Sequence, residues 1–232
     1  MERFKIVTFA VFFLILGVFL FYGYTAFSSN DQSKENLSTT SKVACESEAE
    51  LKSDMRKLWE DHIVWTRNTI FCLVDELPGT EQSIIRQHQN QVDIGNAIKP
   101  YYGDAAGKKL TALLTAHINI SLEVIKEGKT SNTEALVKAN KKWHINADEI
   151  AAFFCKANPN LNLVDMKMMM KQHLDITTEE VFARIKKNYP ADVVTYDKIH
   201  SEILGMADIL SEGIIKQFPH KFETCKMISM SK

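Results

Sequence analysis

Glycine and proline are scarce in this chain, 9 and 5 among 232 residues. No Gly-rich phosphate loop is present, nor any HExxH, CxxC or GxSxG signature. Alternating runs of Val, Ile, Thr and aromatic residues are nearly absent, which argues against a sheet. Charge of one sign is also lacking: 28 Lys and Arg stand against 29 Asp and Glu. Nothing therefore argues for nucleic acid as a partner, and there is no acidic tail. What remains is 45% hydrophobic and 25% charged, ordinary for a globular protein and dominated by helix formers. The class this implies is all-α.

The chain divides by composition. Residues 1–5 are a short flank carrying Arg3 and Lys5. An uncharged run rich in Phe, Leu, Ile and Val follows from Ile6 to Phe27. A helix needs about 20 apolar residues to cross a bilayer, whereas a signal peptide's apolar region is about 7–15 residues long. Residues 6–27 are therefore expected to form one uncleaved transmembrane anchor, with cleavage after Ser28 as the alternative. The positive flank favours an N-terminus inside and the remainder outside the cytosol, although Lys34 and Lys42 weaken the bias. Residues 28–45, rich in Ser, Thr, Asn and Lys, read as a flexible tether. Residues 46–222 read as a helical bundle, and 223–232 as a C-terminal tail.

Within the bundle the apolar residues recur every three or four positions, the period of a helix with one buried face. Ser47 and Glu50 form a capping-box pattern ahead of a stripe through Leu51, Met55, Leu58, His62, Trp65, Thr69 and Leu73. Pro78-Gly79 ends that helix. The second runs from about Thr80 to Lys99, with Asn90, Asp93 and Ile94 on its packed face. The third opens near Asp104, centres its stripe on His117 and closes at Gly128. The fourth opens with another capping-box pattern, Ser131 and Glu134, and buries Trp143, Asn146 and Ile150. The fifth spans about Leu163 to Lys187 and the sixth about Asp192 to Gln217, after a break at Tyr189-Pro190. The fold expected is an up-and-down bundle of about six helices. His117-Ile-Asn-Ile-Ser121 is echoed by His173-Leu-Asp-Ile-Thr177, which suggests a duplicated unit. Asp93-Ile94 and Asp208-Ile209 read as a second echo.

His62, His117 and His173 sit in apolar stripes on three helices, where a polar side chain needs a partner. Three inward histidines with Asp93 as carboxylate would make a site for a divalent transition metal in a bundle core. The plainer alternative is three separate core histidines, those at 117 and 173 each bonded to the hydroxyl one turn on, Ser121 or Thr177. The paired Glu-x-x-His signature of di-iron bundles is missing. Met166, Met168, Met169 and Met170 invite a copper reading, but methionine more often fills core space. Arg67 is expected to pair with Asp61, Glu60 or a neighbouring helix. Cys45 and Cys225 flank the bundle and are placed to form a disulfide. Cys72 and Cys155 read as small buried apolar residues.

Six segments together carry a resemblance: LWEDHIVWTR, QNQVDIGNAIKPYYG, HINIS, KWHINADEIA, HLDITTEEV and MADILSEGIIKQFP. They resemble a family of all-helical bacterial proteins without an established activity, inconsistently labelled glycosyltransferase or acetylglutamate kinase. The resemblance implies that His62, Trp65, Arg67, Asn90, Asp93, His117, Asn146, Asp148, His173 and Asp208 belong to a shared pattern. The function expected is a membrane-tethered binding module that takes a metal ion or small polar ligand through this His/Asp layer. A structural or protein-interaction module without a ligand is the alternative, and a metal-dependent hydrolase the weaker one.

Overall fold

The computed structural model describes residues 47–222. The expected anchor, the tether and the Cys45–Cys225 bridge all lie outside the described residues. No helix among the described residues is long and apolar enough to cross a membrane.

Six helices make up this part: α1 Glu48–Val74, α2 Thr80–Ala97, α3 Lys99–Lys129, α4 Thr133–Ala157, α5 Leu163–Ile185 and α6 Tyr189–Gln217. The first capping box forms as read. Ser47 Oγ accepts from Glu50 N at 3.1 Å, and Glu50 Oε2 accepts from Ser47 N at 2.7 Å. The second does not form. Ser131 adopts a positive φ of 58° and the cap passes to Asn132, whose Oδ1 accepts from Ala135 N. The break expected at Tyr189-Pro190 moves upstream to 186–188. Asn188 caps α6 and Pro190 lies in its first turn, where a missing N–H costs nothing. The expected boundary between α2 and α3 moves to Ile98. A kink at Gly103 then divides α3, and its φ of 82° suits glycine alone. Just beyond the kink, α2 and α3 meet backbone to backbone. A Cβ on Gly95 would lie 2.7 Å from the Gly107 carbonyl oxygen and 1.9 Å from Thr111 Oγ1.

Each helix packs on its neighbours in the chain, and α6 returns to α1, so the six form a closed ring. Helices α1, α3 and α5 also meet one another across the middle. This arrangement exposes a regularity. The histidines recur at intervals of 55 and 56 residues, one on each inner helix. One turn on from each lies Thr66, Ser121 or Thr177; two turns on lie Ile70, Ile125 and Val181, which pack together as one apolar cluster. Two turns before them, Met55, Leu110 and Met166 all enter the main core. The outer helices match as well, with Asn90, Asn146 and Glu202 in equivalent places. One turn on from these lie Ile94, Ile150 and Met206, and two turns on lie Ile98, Phe154 and Leu210, all buried. The duplication read from two segments is thus a triplication of one helical hairpin, with His62-Ile-Val-Trp-Thr66 as the first copy. In this register Asp93 and Asp208 are not equivalent, so the second echo fails.

Candidate functional site: a buried histidine layer

The threefold arrangement brings the three histidines into one layer. Their rings are buried, with centroids 5.7 Å apart for His62–His173 and 6.4 Å apart for His117–His173. His173 is the shared neighbour.

Each copy treats its histidine differently, and the outer helix decides how. In the second hairpin every polar atom around His117 is matched. Trp143 Nε1, which can only donate, lies 3.1 Å from His117 Nε2. The proton of His117 therefore sits on Nδ1, which donates to Asn146 Oδ1 at 2.8 Å. Asn146 Nδ2 in turn donates to the Leu113 carbonyl at 3.2 Å. In the first hairpin Asn90 Nδ2 makes the same bond, to the Leu58 carbonyl at 2.9 Å. Its oxygen, however, accepts from Gln91 Nε2 at 3.1 Å, and His62 Nδ1 is left without a partner. In the third hairpin Glu202 Oε2 lies 3.0 Å from His173 Nδ1, with side-chain exposures of only 6% and 7% for the pair. Glu202 Oε1 is buried and unpartnered, as are Gln91 Oε1, Gln87 Oε1 and Trp59 Nε1.

Electrostatics keep two of the rings neutral. Burial, then the nearby His173, lowers the pKa of His117 to about 3, against the opposing bond to Asn146. Burial also holds His62 well below the ordinary histidine range, helped by His173 and His117, with the Gln91 amide pulling the other way.

Several expectations are corrected here. Ser121 and Thr177 do not serve the histidine rings: Ser121 Oγ donates to the Ile118 carbonyl and Thr177 Oγ1 to the His173 carbonyl, both at 2.7 Å. A hydroxyl inside a helix finds the backbone oxygen of the preceding turn first. Asp93 is not in the layer. It lies half-buried on the outer side of α2, accepting from Gln89 Nε2 at 2.9 Å with Arg86 3.9 Å away. Asp208 is likewise on the flank of α6, paired with Arg56 at 3.1 Å. The expected metal set of His62, His117, His173 and Asp93 is therefore not assembled. Among the described residues no three His, Cys, Asp or Glu side chains converge so as to hold a metal ion. The methionines do not converge as a copper set either, since Met166 and Met170 are core residues and Met168 is exposed. Cys72 and Cys155 are free thiols.

Arg67 does find a neighbouring helix, in a second polar cluster further along α1. It pairs with Glu180, and with Asp192 at 2.8 Å. Its guanidinium lies between the rings of Phe71 and Tyr196, at 4.5 and 4.4 Å from their centroids. Arg184 joins from α5, 3.5 Å from Asp192 and bonded through Nε to Asp75 at 3.0 Å. Burial raises the Glu180 carboxyl to about 7, against the pull of Arg67 and with Asp192 adding to the rise. Glu180, Asp192 and Glu202 escape a reading by residue type alone. The repeat holds the signal for Glu202, because Asn146 follows His117 and Glu202 follows His173 at the same interval of 29 residues.

No known protein family, curated protein or solved structure matches the chain.

Proposed function

We propose that the bundle is a binding module rather than an enzyme, and that its ligand is a single small cation held at His62, Gln91 and Glu202 beside His173. The observation that carries this reading is a buried carboxylate oxygen, Glu202 Oε1, with no donor; His62 Nδ1 and Gln91 Oε1 are also buried without a well-formed bond, with Gln91 close enough to act on the His62 ring. A buried acceptor without a partner costs about 1–3 kcal/mol, more when charged. A cation or an ordered water relieves that cost. Size supports a ligand on this scale. Ring centroids 5.7–6.4 Å apart are near the separation of rings in contact, so an organic molecule does not fit between them. His117 takes no part, because Trp143 seals its Nε2. With one open ring nitrogen, on His62, and one open carboxylate oxygen, on Glu202, the cation would complete its ligands from the Gln91 amide oxygen and water. The membrane tether at 6–27, an extracytoplasmic bundle and the resemblance to the uncharacterised helical family belong to the same proposal.

The test is elemental analysis and calorimetric titration with Zn2+ and Mn2+ of the full chain, purified without an affinity tag and stripped with chelator. One ion per chain is expected, lost in Glu202→Gln and His62→Ala and kept in His144→Ala. A high-resolution structure with only water on Glu202 Oε1 and His62 Nδ1 would instead establish the structural alternative. The self-complete Trp143–His117–Asn146–Leu113 chain favours that alternative for the second hairpin.

A further inference from the structure

One face of the bundle combines exposed apolar side chains with lysines. Val164 and Met168 on α5 are 66% and 61% exposed, and Ile145 on α4 is 53% exposed. All three line a surface groove of about 470 Å3 between the two helices. Its other walls include Lys141, Lys167 and Lys171, against a single carboxylate, Asp148, bonded to Lys167 at 2.9 Å. Lys171 pairs with Asp175 on its own helix, while Lys141 makes no ion pair among the described residues. The positive charge is therefore only partly balanced on the face itself.

We infer that this face of α4 and α5 docks on an anionic lipid bilayer, a step that rests on the tether proposed above. Two features choose a bilayer over other occupants. Apolar side chains ringed by lysines suit the boundary between acyl chains and headgroups, with the lysine stems lying along the apolar surface and the ammonium groups reaching phosphate. The chain also enters the bundle at the right end. Glu48, at the start of α1, and the α4–α5 turn at Asn160 and Leu161 border one surface groove. The apolar start of α5 thus lies beside the point where the uncharged run at 6–27 connects, through residues 28–46, to the bundle. A bilayer holding that run is within reach of a linker that extends at most about 3.5 Å per residue.

The experiment reconstitutes the full chain into nanodiscs of phosphatidylcholine alone or mixed with phosphatidylglycerol, then measures lysine acylation by mass spectrometry. Lys141, Lys167 and Lys171 are expected to be protected on the anionic discs only, with Lys108 and Lys186 labelled equally on both. High salt should abolish the protection, and Lys141→Gln should weaken docking about fivefold, the worth of one lysine near an anionic surface. Val164→Ser should reduce protection without changing its dependence on salt. Equal labelling on both disc types overturns the proposal. So does protection that rises with protein concentration in detergent, which would assign the face to a second copy of the chain. A chain that does not enter nanodiscs overturns the tether alone. The same labelling with added vesicles then decides the docking.

Discussion

Acidification should destabilise the bundle through its histidine layer, and replacing His117 should remove a defined share of that loss. The sign follows from where protons bind. The unfolded chain protonates residue 117 near its ordinary pKa of 6.5, while the folded chain resists until about pH 3. Stability from this group is thus complete above pH 6.5 and declines as pH falls toward 3. His117 alone accounts for about 2 kcal/mol by pH 5 and about 4 kcal/mol by pH 3, at about 1.4 kcal/mol per unit. His62, depressed by the same burial, acts in the same direction. Glu180 opposes both. Its carboxyl is raised from 4.5 to about 7, so its contribution is lost as pH rises through that window. The wild-type chain should therefore be most stable between about pH 6 and 7, and urea midpoints followed by tryptophan fluorescence should decline below that range. His117→Gln will lower stability at neutral pH, but its decline from pH 6.5 to 4 should be shallower. Glu180→Gln should shift the maximum to higher pH. An unchanged acid slope in His117→Gln would refute the neutral, buried ring.

Three further outcomes follow from packing and charge. Gly95→Ala should cost about 1–3 kcal/mol in urea denaturation, since its methyl meets the Gly107 carbonyl 2.7 Å away, and trimming Thr111 to Ala should not rescue it. Arg67→Met should destabilise by about 3–5 kcal/mol, because it leaves Glu180 and Asp192 as two buried acids without their shared cation; Arg67→Met combined with Glu180→Leu should recover part of that loss. Ser47→Ala should lower stability by about 1 kcal/mol through loss of the α1 cap.

The inner faces of α1, α3 and α5 were legible because an apolar stripe at helical spacing has one way to be buried. A histidine within such a stripe is carried inward with it, so the meeting of His62, His117 and His173 could be anticipated from spacing. Their partners could not. Spacing favours Asp93 because it lies three residues from Asn90, within one turn of the same face. Along a helix the residue four on, Ile94, follows Asn90 more closely than the residue three on, and Ile94 took the core position. Burial of Glu180 and Asp192 was hidden for a different reason. Acids are rarely buried unless paired, and their partner Arg67 comes from a helix more than a hundred residues away in sequence. Cap choice was the third gap, since Ser131 and Asn132 are both good caps and only the backbone's left-handed turn at Ser131 decides between them.

The triplication changes how the layer is read. Three copies of one hairpin begin with three equivalent polar contacts, and Asn146 with His117 shows what a complete one looks like. A layer kept only to fix the register of the hairpins has reason to keep all three complete, since each orphaned polar atom weakens the core. Here the departures are concentrated in the first and third copies. Asn90 has given its oxygen to Gln91, and a carboxylate stands at position 202 where the other copies have asparagine. Glutamate cannot make the donor bond that Asn90 and Asn146 make to the carbonyl four residues before their histidines unless it holds a proton. Glutamate at 202 therefore trades an internal hydrogen bond for a spare buried acceptor on the residue that meets His173. In return Glu202 keeps one buried contact, to His173 Nδ1 at 3.0 Å, and its second oxygen is the feature on which the proposed cation site rests.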